Sequence, residues 1–423
     1  MPRCSKPIFS DFFQSTAYLF SFIPYKMIEK MGNYLGISAY YILKKYRKRT
    51  LSNLSLARSL NLDEENLIKT AKNSLKAFAI AFLEFPKLLY EKDLNNIVSC
   101  ENPWVLEELY KKNKGIVFLC AHQSNWELFF LDGNSRMPGV AIGRPIKNKK
   151  FYDFILKIRT KFGGDIIQPH EALKKGAKAL KEGKFLGIVG DQGMPSSSFR
   201  SKFLGVETHS TVAPALLAYK TSSPVVVATM KRIDGKYLIK YSDPIFPDNQ
   251  IDIKSEVERI TLESLKILED SISQNPHEWL WIHNRFKQET SELVFYRYRH
   301  DSILIATPSM KNIRLEIIRK VYPKAFITFY TLDPSDKTDE NILFIADLNH
   351  LPRDYRFKFL IDLIGSKKLK KHFKKLSVLK TLTIEDCVAD MKSKNFDISV
   401  PDDEKIIYTI SRNPQELLKS YAS

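Results

Sequence analysis

The run Ile116 to Cys120, IVFLC, is five apolar residues with no polar position between them. A strand with one face in water alternates apolar and polar residues, so this run predicts a strand buried on both faces. Such a strand needs cover above and below, which narrows the fold to a sheet wrapped by helices. Similar signals recur at Phe185 to Val189 and Pro224 to Met230, with a short strand at Val140 to Ile142 and an alternating one at Tyr237 to Tyr241. Helical spacing fills the intervals. Asp63 to Leu89, Asn148 to Phe162, a segment through Leu173, Ala177 and Leu180 that Gly183 ends, Ser210 to Tyr219 and Ile253 to Ile272 all read as helices. The order predicts an α/β fold with a mixed sheet flanked by helices.

The stretch directly after Ile116 to Cys120 carries the chemistry. HQSNWE places His122 and Glu127 with four residues between them. On one continuous helix that separation turns roughly 140° beyond a full circle, and the two side chains point apart. They meet only if His122 lies on the loop leaving the strand and Glu127 lies in the first turn of the next helix. Ser124 is a good N-cap for such a helix. Glu127 would then accept from one ring nitrogen of His122 and leave the other to act as a base. A plainer reading uses the same residues, because Ser124 and Glu127 also fit a capping box in which the glutamate only satisfies a backbone donor. Strand exits of α/β sheets are where such folds place their sites, which favours the catalytic reading.

HQSNWE resembles the His-x4-Asp/Glu motif of the glycerolipid-type acyltransferases, and most of all the late acyltransferases of lipid A biosynthesis. Three further blocks extend the resemblance over roughly residues 10 to 290. GRPIKNKKFYDFILKIRTKFG, from Gly143 to Gly163, is similar to that family's second block, with Arg144, Pro145, Asn148, Arg159 and Gly163 in register. Gly190, Asp191 and Gln192, followed by Phe203 and Gly205, resemble the third. WLWIHNRFK, from Trp279 to Lys287, is close to the closing signature. Two positions depart from the pattern: Gly143 stands where an aromatic residue is expected, and Gly193 where an acid is common.

The resemblance implies an O-acyltransferase that needs no metal or other cofactor. Its donor is acyl carrier protein, and its acceptor an anionic glycolipid, a phosphorylated lipid A precursor of lipopolysaccharide biosynthesis. His122 and Glu127 are the expected catalytic pair. Arg144, Asn148, Arg159, Asp191, Gln192, His283 and Arg285 are the expected substrate-binding residues. The planar guanidinium of Arg144 or Arg159 suits phosphate, while Arg159 could instead cap its helix. Asp191 could orient a substrate hydroxyl or Arg144, or cap a turn. The alternatives are a lysophospholipid or other glycolipid acyltransferase and, outside enzymes, a basic membrane or nucleic-acid binding adaptor.

A formal charge of +18 demands an anionic partner, and phosphorylated lipid or an acidic carrier protein meets that demand as well as nucleic acid does. No zinc-finger or RNP-type motif supports nucleic acid. The cysteines Cys4, Cys100, Cys120 and Cys387 have no paired spacing for disulfides or zinc.

The chain of 423 residues exceeds one ordinary core, since domains average about 150 residues. Residues 1–60 read as a membrane-associating helical segment, 61–295 as the catalytic domain and 296–423 as a small α/β domain with no assigned chemistry. Ile8 to Tyr25 is aromatic-rich but interrupted by Asp11 and Pro24, and so falls short of the roughly 20 apolar residues of a clear span. It reads as a marginal span or an interfacial helix, with an ordinary core helix as the alternative. The cluster from Lys44 to Arg49 fits the membrane reading, because such clusters prefer an anionic cytoplasmic face, and the resemblance implies an inner-membrane enzyme with its catalytic domain facing the cytoplasm. Gly193 to Ser201 reads as a lid loop. In the tail, strands are expected at Ser302 to Thr307, Ala325 to Thr331, Ile342 to Ala346 and Ile406 to Ile410. Helices are expected at Asn312 to Val321 and Tyr355 to Ile364, and Lys367 to Lys375 forms a basic stripe.

Overall fold

The computed structural model describes residues 8–195 and 198–419. Its contacts divide the chain into two compact units, one of residues 1–42 and 68–280 and the other of residues 43–67 and 281–423.

In the first unit the strands are β1 (Val98–Cys100), β2 (Ile116–Cys120), β3 (Gly139–Ile142), β4 (Asp165–Ile167), β5 (Phe185–Val189), β6 (Ser198–Phe203), β7 (Val206–Thr211), β8 (Val225–Ile233) and β9 (Lys236–Tyr241). Seven of them form one sheet in the order β1-β9-β8-β2-β5-β3-β4. Every pairing is parallel except the β8–β9 hairpin, so the sheet is mixed as expected. All five residues of β2 are buried, which accounts for its unbroken apolar run. On one face the rings of Phe118 and Phe185 lie 5.5 Å apart, and Phe118 meets Tyr241 edge-on at 5.5 Å. The helices Glu127–Arg136 and Lys149–Arg159 add Leu128, Phe129, Phe154 and Ile158 to this core. The helices Ala213–Thr221 and Ile253–Gln274 pack together on β8, and the former also on β2. Gly115 opens β2 against a neighbouring backbone. A Cβ there would lie 2.0 Å from the Leu180 carbonyl oxygen.

The lid reading changes. Ser198 onward enters the β6–β7 antiparallel hairpin, whose partner β7 takes Ser210 and Thr211 out of the expected helix. Ser196 and Ser197 lie outside the described residues, as does Cys4. No helix among the described residues is long and apolar enough to cross a membrane.

The second unit holds β10 (Ser302–Thr307), β11 (Phe326–Thr331), β12 (Ile342–Phe344), β13 (Phe359–Asp362) and β14 (Lys380–Thr383), all parallel, in the order β12-β11-β10-β13-β14. Two expectations fail here. Tyr355 to Ile364 is not a helix, because Phe359 to Asp362 are buried on both faces as β13. Ile406 to Ile410 is the end of the helix Asp402–Ile410, which buries Ile406, Ile407 and Ile410 and leaves Tyr408 half-buried. Short apolar runs read alike as strand or helix when both are buried. The helix Lys44–Leu56 also belongs to this unit. Its Lys48 is buried and donates to the carbonyls of Tyr355 and Leu376.

Candidate active site

Register builds the centre of the site. Strands β2 and β5 are parallel neighbours that end together, with Cys120 opposite Val189. The two chains leave the carboxyl edge side by side, tied by Gly190 N–H donating to the Cys120 carbonyl at 2.9 Å. Two residues past each strand end stand His122 and Asp191. The carboxylate of Asp191 lies 2.7 Å from His122 Nδ1 and accepts from the His122 backbone N–H at 3.0 Å. A third donor, Trp279 Nε1, reaches it at 2.7 Å. Asp191 is fully buried, while one fifth of the His122 side chain remains exposed.

The electrostatics follow from that pairing. Burial alone raises a carboxylate pKa, but the His122 charge and three donors hold Asp191 well below the usual carboxylate range. Burial alone also depresses an imidazole, yet Asp191, with help from Glu127, lifts His122 above its ordinary value. His122 therefore has a fixed orientation and a strengthened basicity, the two properties a general base needs. Cys120, just below, is a buried thiol pushed well above its ordinary pKa by desolvation, which makes it structural.

Glu127 opens the next helix, as the geometry required, but its hydrogen bonds go elsewhere. Arg159 donates to it twice, from Nε at 2.7 Å and Nη2 at 2.5 Å, in a bidentate pair. Asp191 thus stands on the His122 ring where Glu127 was expected, and Glu127 acts on His122 through its charge. A guanidinium fork matches both oxygens of a carboxylate, so Arg159 commits Glu127 in a way that a single imidazole N–H would not. The capping box is absent as well. Ser124 has φ +31°, which turns the chain, and Trp126 rather than Ser124 precedes the helix, without a side-chain cap.

The loop holding His122 is braced from behind. Ser124 N–H donates to the Glu278 carbonyl at 2.5 Å, and Leu280 N–H to the His122 carbonyl at 3.0 Å. Asn125 donates to Glu84, a buried carboxylate that also accepts from Tyr237 and pairs with Arg232. Burial raises Glu84 to about 7 against the opposing pull of Arg232 and these donors.

The other expected residues scatter. Arg144 is exposed at the site's edge of the sheet, after β3. Asn148 caps the helix Lys149–Arg159 by accepting from Phe151 N–H at 3.1 Å. Gln192 follows Asp191 and is half-buried. His283 and Arg285 fall in the second unit, where the His283 carbonyl accepts from Asn53. The two departures from the motif have steric reasons. At Gly143 a Cβ would meet Ile166 at 2.8 Å and Arg159 Nη1 at 3.4 Å, and at Gly193 it would lie 2.5 Å from the His209 backbone. Among the described residues no group of three or more His, Cys, Asp or Glu is placed to hold a metal ion.

Sequence reasoning missed the Asp191–His122 and Trp279–Asp191 contacts. A signal was present: Ala121-His122 and Gly190-Asp191 sit at the same offset from two strands of equal length.

The arrangement, a base oriented by a buried acid beside an Arg-clamped glutamate at a parallel sheet's carboxyl edge, suits proton removal from a hydroxyl nucleophile. The family model for bacterial lipid A biosynthesis acyltransferases matches residues 12–288. The lipid A biosynthesis lauroyltransferase of Escherichia coli (strain K12) is 23% identical over 273 residues, which cover 63% of this chain and 87% of that relative. With the matched span taking in both strand exits, the helix that carries Arg159 and Trp279, this chain belongs to the bacterial lipid A biosynthesis acyltransferase family and is an acyltransferase.

Proposed function

We propose that this enzyme moves a fatty acyl chain from an acyl carrier protein thioester to a hydroxyl of a phosphorylated lipid A precursor, with His122 as general base and Asp191 as the group that orients it. The hydrogen-bonded His122–Asp191 pair carries this reading. With Nδ1 committed to Asp191, proton transfer runs through Nε2, which takes the acceptor's hydroxyl proton as its oxygen attacks the thioester carbonyl. The tetrahedral intermediate expels the carrier thiolate, and the imidazolium returns the proton to sulfur, so an ester and a thiol leave. Arg144 is suited to stabilise the oxyanion, a contribution of about 3 kcal/mol for a typical donor. Glu127 and Arg159 shape the acceptor side and add negative charge that favours the imidazolium.

The excess of basic residues supports an acidic carrier and an anionic acceptor. Membrane contact through the first two helices is part of the proposal. Ile8–Ser21, Tyr25–Ile42 and the turn between them expose Tyr18, Leu19, Phe22, Met27 and Tyr34, of which Tyr34 is 78% exposed. Aromatic and aliphatic side chains presented this way suit an interfacial position at the cytoplasmic leaflet of the inner membrane.

The test is transfer of label from radiolabelled acyl carrier protein to a tetra-acylated lipid A precursor in detergent, with wild type, His122→Ala and Asp191→Asn. Label in the glycolipid that disappears in the variants supports the reading. Acylation of a lysophospholipid alone would keep the base and replace the acceptor, while undiminished transfer by His122→Ala would end the mechanism.

A further inference from the structure

Beside the braced loop lies a cavity of about 700 Å³ that the mechanism above does not use. That volume is enough for a sugar-sized ligand. The helix Tyr25–Ile42 contributes Lys26, Lys30 and Asn33, the helix Glu64–Lys87 contributes Asn73 and Lys76, and the β8–β9 hairpin contributes Arg232. The two helices cross closely. A Cβ on Gly32 would lie 2.5 Å from Ile80 and one on Gly36 2.4 Å from the Lys76 Cα, so the crossing fixes where the lysines stand. No ion pair to Lys26, Lys30 or Lys76 occurs among the described residues.

The floor points to a ligand independently of the lysines. Glu278 is 4% exposed and its Oε1 accepts from Arg232 N–H, yet its Oε2 is buried with no partner among the described residues. The Nε of Arg232, on the same lining, is likewise unsatisfied. Burial raises Glu278 to about 7, so near neutrality its carboxyl group is available as a donor as well as an acceptor. A buried polar atom with no partner is destabilising, and a ligand hydroxyl would satisfy it. Glu29 and Asp234 also line the cavity, so a bare phosphate would meet negative charge there as well as the lysines, whereas a phosphorylated sugar offers phosphate to the lysines and hydroxyls to the acidic floor. The cavity also shares its support with the base: Ser124 lines it, the Glu278 carbonyl holds Ser124, and the next residue, Trp279, holds Asp191.

We propose that this cavity seats the phosphorylated sugar head group of the acceptor, with Lys26, Lys30 and Lys76 on the phosphate oxygens and Glu278 on a sugar hydroxyl; naming the occupant as acceptor rests on the acyl-transfer reading above. Head-group binding here would anchor the lipid next to the His122 loop and present a neighbouring hydroxyl to the base.

The experiment measures binding of glucose 1-phosphate, glucose and inorganic phosphate to the full chain in detergent by saturation-transfer NMR, and in parallel the KM and kcat for the acceptor lipid. In wild type, glucose 1-phosphate should bind about tenfold tighter than either fragment. Lys30→Ala with Lys76→Ala, at exposed and half-buried helix positions, should weaken it by about tenfold and raise the acceptor KM similarly, with kcat little changed. Glu278→Met should bring glucose 1-phosphate down to the level of inorganic phosphate, and Glu278→Gln, which keeps the hydrogen bond, should not. Equal binding of glucose 1-phosphate and phosphate in wild type, or unchanged affinity and KM in the folded lysine variant, overturns the proposal and leaves the acyl-transfer reading standing. If the binding results hold while His122→Ala transfers at the wild-type rate, the reaction and the acceptor assignment fall, and the cavity remains a sugar-phosphate site.

Discussion

Asp191→Asn isolates the orienting role of the buried acid, because the substitution keeps size and shape. Two donors converge on Oδ2, the His122 backbone N–H at 3.0 Å and Trp279 Nε1 at 2.7 Å. An asparagine satisfies both only by placing its carbonyl oxygen there, which turns its NH2 toward His122 Nδ1. That nitrogen must then accept, so the ring proton moves to Nε2 and the tautomer is wrong for a base. The charge that lifts His122 above its ordinary pKa disappears in the same step. The corresponding change in a Ser-His-Asp triad lowers kcat about 10⁴-fold, and about 10³ to 10⁴-fold is expected here, roughly 4–5.5 kcal/mol of transition-state stabilisation. The assay is steady-state acyl transfer across pH, with circular dichroism to establish the fold. In wild type kcat/KM should fall on acidification through a pKa above that of free imidazole. A folded Asp191→Asn enzyme that keeps more than about a tenth of wild-type kcat would refute the argument.

Trp279→Phe removes one donor from Asp191 while keeping a ring against Phe203, 5.7 Å away in the native protein. The less-stabilised carboxylate should raise His122 further, so the acid limb of the rate profile should move to higher pH; a limb that does not move would make Trp279 merely a packing residue. Arg159→Lys replaces the two-pronged clamp on Glu127 with a point charge, and kcat/KM should fall about 10 to 100-fold with a stability loss of about 1 kcal/mol, small because both groups retain some exposure. Equal activity in the lysine variant would show that charge alone suffices. Gly115→Ala drives a Cβ into the Leu180 carbonyl oxygen, and backbone cannot rotate away, so urea unfolding should show a loss of about 1–3 kcal/mol or more. An unchanged midpoint would mean that β2 can shift by more than its packing suggests.

The architecture was legible because it depends on local chemistry. Five apolar residues in a row at Ile116 to Cys120 imply burial on both faces, and 3.6-residue spacing in Lys149 to Arg159 implies a helix lying on a sheet. The placement of His122 on a strand exit and of Glu127 at a helix start also follows from local rules. In the second unit, errors came where a short apolar run packs into a core. Phe359 to Asp362 and Ile406 to Ile410 are both short and mostly apolar, and only their neighbours decide that the first is a strand and the second a helix turn.

By itself, then, the sequence determined the α/β layers and the motif block order, and singled out His122 as the candidate base. Which acid pairs with His122 was decided in three dimensions. His122 and Asp191 are 69 residues apart, and they meet because β2 and β5 pair in parallel with Cys120 opposite Val189. Glu127, only five residues from His122, is drawn instead to Arg159, whose two N–H groups match a carboxylate better than one ring nitrogen does. Sequence separation says which residues can meet cheaply. Strand register and the competition among hydrogen-bond partners say which ones do.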